Sequence, residues 1–148
     1  MAISKFDIAN ELLTSLPRKY PGDYSKGTSN DGRFVTIQGY CKQKDLYFVI
    51  QIHDESEIYA SLVFKIQQSN RFEFADYMER FNEKTKSYPY AYLTYHNVSD
   101  GFFVNLCKQV DDKCYTPYGF AQAAIKALDD LIYCSSCQEA RKRIESLR

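Results

Sequence analysis

The sharpest chemical motif in this chain is Cys134-Ser135-Ser136-Cys137. Two cysteines at this spacing make a redox dithiol when they sit at a helix N-terminus, which lowers the first thiol's pKa. Here the motif follows a helix and not the strand of a βαβ unit. With Ser136 as N-cap, Cys137 lies inside the first turn and Cys134 just outside it. The sequence reading is therefore structural: Cys137 packs into the stripe of a last helix, and Cys134 is incidental. A zinc site needs two more ligands, and Cys107 and Cys114 stand at a spacing that fits no standard structural zinc pattern. The two histidines are His53, followed by Asp54 and Glu55, and His96. Each ends an expected strand beside a turn. Brought together with carboxylates they would make a metal or acid–base pair, but their spacing does not require it, and they read as solvated turn residues. No Gly-rich phosphate loop, nucleophile elbow or His-Glu-x-x-His motif occurs. No catalytic residue, metal ligand or cofactor is assigned, and an enzyme is not expected.

The elements that would position such residues follow from composition and periodicity. With 148 residues, the chain is long enough to bury a core and reads as one domain, 1–148. Trp is absent, while Tyr and Phe number 13 and 10, so a substantial sheet is expected. Lys plus Arg and Asp plus Glu are both 19. That balance argues against nucleic acid as partner, because phosphate binding needs a basic surplus on at least one face. Lys84, Lys86 and the terminal RKRIESLR are ordinary helix-surface charges. The N-terminus lacks a signal-peptide pattern, and no apolar run approaches the roughly 20 residues of a membrane span. The odd number of cysteines, five, suits free thiols in a reducing compartment. The expected location is the cytoplasm, with no membrane association. The strand aromatics could stack bases, but packing accounts for them better without a basic surplus.

Ser4 and Asp7 open a first helix, with Phe6, Ala9, Leu13 and Leu16 on one face and Pro17 as its stop. Residues 18–32, rich in Gly, Ser, Asn and Asp, read as a loop. Three strands follow as a meander: RFVTIQGYC, LYFVIQIH and EIYASLVFKI. Asn70 and Glu73 open a second helix with Phe74, Met78 and Phe81 buried, and Pro89 excludes further helix. Tyr90 to His96 and Phe102 to Val110 form a second sheet segment joined through NVSDG. Thr116-Pro117 opens a long helix with Phe120, Ala124, Ala127, Leu128 and Leu131 on its apolar face. After a break at Cys134-Ser135-Ser136, Cys137, Ala140, Ile144 and Leu147 make the stripe of an extra C-terminal helix. The order is α-βββ-α-ββ-α plus that helix, an α+β fold on an antiparallel sheet.

This order resembles that of type III secretion chaperones and of the bacterial YbjN-like family. The second half is the more similar to the YbjN-like pattern, through Arg80-Phe81-Asn82-Glu83-Lys84, Ala91-Tyr92-Leu93, Asp100-Gly101, Phe102-Phe103-Val104-Asn105-Leu106 and Thr116. Phe81 stands where the family often has Trp, and the NVSDG turn is longer than usual. The resemblance implies a non-enzymatic domain that binds protein, often as a dimer, and supplies no catalytic residues.

The middle strands carry apolar residues on both faces, which a sheet covered on one side should not do. With helices over one face, Tyr47, Val49, Tyr59 and Val63 fall on the other, or the reverse register holds. They are the candidate protein-interface residues. A second subunit or a client would cover them, and a homodimer is expected; the rival cover is the segment after Thr116 wrapped back over this face. The expected function is a chaperone- or adaptor-like binding module. The alternative is a small inhibitor or immunity-type protein that blocks a partner enzyme, and a thiol-based enzyme stands third.

Overall fold

A computed structural model describes residues 3–86, 91–99 and 101–148. The element order is α1 (Lys5–Lys19), β1 (Gly22–Thr28), β2 (Phe34–Cys41), β3 (Leu46–His53), β4 (Ile58–Ile66), α2 (Arg71–Thr85), β5 (Tyr92–Val98), β6 (Gly101–Gln109), α3 (Pro117–Tyr133) and α4 (Ser135–Glu145). The fold is α+β. Six strands form one antiparallel sheet in the order β1-β2-β3-β4-β6-β5. After β4, α2 carries the chain past the next sheet position. Strand β5 therefore lands on the edge, and β6 returns by a hairpin to pair with β4. No helix is long and apolar enough to cross a membrane among the described residues.

Strand alternation sorts the sheet into two faces. Val35, Ile37, Phe48, Ile50, Ile52, Ile58, Leu62, Leu93, Val104 and Leu106 point one way and are at most 1% exposed. They meet Leu12 and Leu16 of α1, Phe74 of α2, Leu128 and Leu131 of α3, and Ala140 and Ile144 of α4 in one core. All four helices thus stack on a single face.

Several expectations are corrected. Residues 22–28 are not loop but strand β1, paired with β2 over seven residues from Gly22↔Cys41 to Thr28↔Val35. Its sequence, GDYSKGT, has almost no apolar content because it is an exposed edge. Gly39 permits the close approach: a Cβ there would stand 2.2 Å from the Asp23 carbonyl oxygen. Tyr24 covers that glycine and stacks on Phe48, with ring centroids 6.4 Å apart. Helix α1 runs through Pro17 to Lys19. A proline so near the end removes one intrahelical bond, and Tyr20 N–H still closes the helix on the Leu16 carbonyl at 2.9 Å. Its buried face is Ile8, Ala9, Leu12 and Leu16, while Phe6 is 46% exposed. Ser4 does cap it, accepting from Phe6 N–H.

Asn70 is the N-cap residue of α2 but does not cap with its side chain. Its amide donates to the Leu147 carbonyl at 2.6 Å, and Glu73 pairs with Arg143 of α4. Both residues tie the two helices together. Phe74 and Phe81 are buried and Met78 packs against the core, as the spacing predicts. Thr116 caps α3 by accepting from Gly119 N–H at 3.0 Å. The break before α4 occurs, but its N-cap residue is Cys134 and not Ser136. Strand β5 extends to Val98 and β6 starts at Gly101. Pro89, Tyr90 and Asp100 lie outside the described residues.

Candidate functional site: the helix-free face of the sheet

The second face of the sheet carries no helix among the described residues, and it forms an open trough of about 810 Å³. Tyr47, Val49, Tyr59 and Val63 all lie in it. Helices α3 and α4 pack on the opposite face, so the segment after Thr116 does not wrap over this one.

Strand register sets the trough's pattern. One row across the sheet reads Tyr40, Tyr47, Val63, Asn105 and Thr94. The next reads Gln38, Val49, Ser61, Cys107 and Tyr92. The centre is a polar seam bonded to itself. Asn105 donates to Thr94 Oγ1 at 3.2 Å, and Ser61 Oγ donates to Cys107 Sγ at 3.3 Å. Thr94 Oγ1 lies 3.9 Å from the same sulfur. Burial pushes the Cys107 thiol up, against the pull of these two hydroxyls, so it serves the seam as a neutral group. Aromatic side chains flank the seam: Tyr47, Tyr59, Tyr92 and Phe103. Burial pushes the Tyr92 phenol up to about 12. The Glu57 carboxylate, which accepts from the Tyr59 hydroxyl, raises that phenol as well. None of the side chains lining the trough is Lys, Arg, Asp or Glu.

The histidines do not meet. His53 ends β3 and His96 lies in β5, with β4 and β6 between them. Three strand spacings alone separate them by about 14 Å. His96 also sits level with Lys65, while His53 sits by Glu57, at the other end of β4. His53 is not a free turn residue: its ring packs 4.8 Å from Phe34 and 5.4 Å from Tyr59, and Nε2 lies 3.3 Å from Gln51 Oε1. Among the described residues no cluster of His, Cys, Asp or Glu is arranged to hold a metal.

Sequence reasoning placed four residues of this face and missed Ser61, Tyr92, Thr94, Phe103, Asn105 and Cys107. The signal was available, since alternation carried through β5 and β6 puts all of them on one side. It also missed Asn82. This side chain donates to the Leu93 carbonyl at 2.9 Å and accepts from the Leu93 N–H at 2.7 Å. It thereby satisfies the outer edge of β5 as a further strand would. Thr85 Oγ1 adds a bond to the Ala91 carbonyl at 2.6 Å.

No protein-family model matches this chain, and no curated protein matches it.

Proposed function

We propose that this protein is a non-enzymatic binding module of chaperone- or adaptor-like type, similar to YbjN-like and secretion-chaperone domains, working in the cytoplasm. It takes a protein partner on the helix-free face, and a second copy of the chain is the first occupant. Tyr47, Val49, Tyr59 and Val63 are its contact residues. The observation that carries this reading is a trough of about 810 Å³ with aromatic flanks and no Lys, Arg, Asp or Glu in its lining. Interface centres are depleted in charge and enriched in aromatics in the same way.

The test is a glutamate in the middle of the trough. Val63 is half-buried between Tyr47 and Asn105, with its side chain on the open side. Val63→Glu leaves the core intact and places a charge where a partner would desolvate it. Sedimentation velocity is expected to show a dimer for the native chain and a monomer for the variant, with stability changed by no more than about 1 kcal/mol. A native chain that stays monomeric, and that binds the same proteins with and without the substitution, overturns the reading.

A further inference from the structure

The open face is uneven, and strand register makes the unevenness regular. Of its strands β2, β3, β4, β6 and β5, the middle one is β4. Val63 of β4 centres one row, with Tyr47 and Tyr40 to one side and Asn105 and Thr94 to the other. The tyrosine side stands out and the amide side is sunken: Tyr47 is 39% exposed and Asn105 8%. In the next row Ser61 is the centre, with Val49 on the β3 side and Cys107, 7% exposed, on the β6 side. Next to β4 the face thus carries a knob over β3 and a recess over β6, walled by Tyr92 and Phe103. The floor of the recess has an open acceptor. Asn105 gives its amide N–H to Thr94, and its Oδ1 has no donor among the described residues. No buried side-chain oxygen lacks a partner there, so this one is still reached by water.

We infer that, given the binding role proposed for this face, two copies pack face to face about a two-fold axis lying along β4, each Tyr47 entering the partner's recess over Asn105. Such an axis sets β3 of one copy over β6 of the other and Val63 over Val63, and an isologous contact of this kind is made twice. The tyrosine hydroxyl takes the place of water on Asn105 Oδ1. An axis across the strands would set Tyr47 on Tyr47 and Asn105 on Asn105, leaving both recesses empty.

Charge and size agree with a second copy as occupant. The trough lining holds no Lys, Arg, Asp or Glu, so neither copy has to desolvate one. Lys65, next on this face of β4, lies over the Phe103 ring, 5.8 Å from its centroid, outside the trough lining. At the outer end of the row the Tyr40 hydroxyl donates to Asp45, and both are exposed. At about 4.8 Å between strands and about 3.3 Å per residue, five strands of seven or more residues cover roughly 550 Å² in plan. Side chains roughen that plan, so the accessible area approaches the ~800 Å² per partner of a standard stable interface.

Sedimentation equilibrium on the full-length chain measures the dimer. Tyr47→Ala, at the rim and off the core, empties both recesses and should weaken association about tenfold or more. Asn105→Phe fills them and should weaken it as well; folding is checked by circular dichroism, and Thr94→Phe fills the same recess from β5 if Asn105→Phe does not fold. The knob and recess substitutions placed in one chain should restore the dimer, because the introduced ring occupies the space that the partner's tyrosine left. The two single variants, mixed, should form a heterodimer for the same reason. A native dimer that Val63→Glu breaks, but that Tyr47→Ala leaves unchanged or the combined variant does not restore, overturns the two-fold contact and leaves the face as the interface. A native chain that stays monomeric overturns the second copy as occupant, and this contact with it.

Discussion

Asn82→Ala isolates the contact that closes the free edge of the sheet. The side chain makes two hydrogen bonds, at 2.9 and 2.7 Å, to the carbonyl and amide of one residue, Leu93. Leu93 itself is 1% exposed, so its backbone groups gain only partial access to water when the amide is removed. A typical intramolecular hydrogen bond contributes a net of about 0.5–1.5 kcal/mol, and a buried group left without a partner costs about 1–3 kcal/mol. Two bonds lost, with partial rehydration, give about 2 kcal/mol. For a chain of this size that lowers the melting temperature by about 4–8 °C. Equilibrium urea unfolding supplies the free energy, and amide hydrogen exchange supplies the location. Protection should fall first at the Leu93 amide and its neighbours in β5, with the β2–β3 ladder unchanged. A loss below about 0.5 kcal/mol, or a uniform loss of protection over the whole sheet, would refute the claim that Asn82 acts as a surrogate strand.

Phe81→Ala should cost about 2–5 kcal/mol in the same unfolding assay, because the ring is 6% exposed in the stripe that seats α2. Gly39→Ala should detach β1 selectively, since its Cβ would stand 2.2 Å from the Asp23 carbonyl oxygen; hydrogen exchange should show β1 unprotected while β3 and β4 hold. Burial pushes the Tyr24 and Tyr92 phenols from 10.0 to about 12 in the fold. Their protonated form is favoured by folding, so their contribution is full below pH 10 and is lost as pH rises toward 12. Burial and the Asp129 carboxylate push the Tyr20 phenol up as well, so ultraviolet titration should show at least three late-ionising tyrosines, Tyr20, Tyr24 and Tyr92, and Tyr92→Phe should raise the pH of alkaline unfolding.

Long periodic elements were legible in the sequence; partner choice at their ends was not. The stripes Phe74–Phe81 and Cys137–Leu147 could be read because a 3.6-residue period needs only local sequence. Strand β1 could not. GDYSKGT has no pattern of its own, and what holds it is the β2 edge, the gap at Gly39 and the ring of Tyr24 over that gap. Capping failed for the same reason. Asn70 and Glu73 have the spacing of a capping box, but Leu147, just past α4, and Arg143 within it compete for them from some 70 residues away. At α4 the break was placed correctly, while the cap shifted from Ser136 to Cys134. That shift of two residues makes Cys134 itself the N-cap residue, and no periodicity encodes it. On the open face, alternation identified the side but not the rows, because register across β4, β6 and β5 depends on the crossover through α2.

On the proposed function, the composition of the open face lets it stand in water and still suit a partner. A trough of aliphatic side chains alone would favour self-association without selectivity. A trough with unpaired polar groups would resist covering, because each would lose its water. Here the central polar groups bond to one another: Asn105 to Thr94, and Ser61 to Cys107. Among the described residues no buried side-chain nitrogen or oxygen lacks a partner. Covering the seam therefore removes little hydration that is not already replaced. The flanking tyrosines bring apolar ring area together with hydroxyls that can stay hydrated at a rim. Strand alternation keeps this arrangement independent of the core, since Leu62 and Val63 are neighbours in sequence yet belong to opposite faces. Substitutions at Tyr47, Val49, Tyr59 and Val63 should thus have little effect on folding, whereas their neighbours Phe48, Ile50, Ala60 and Leu62 are held fixed by the helices above them.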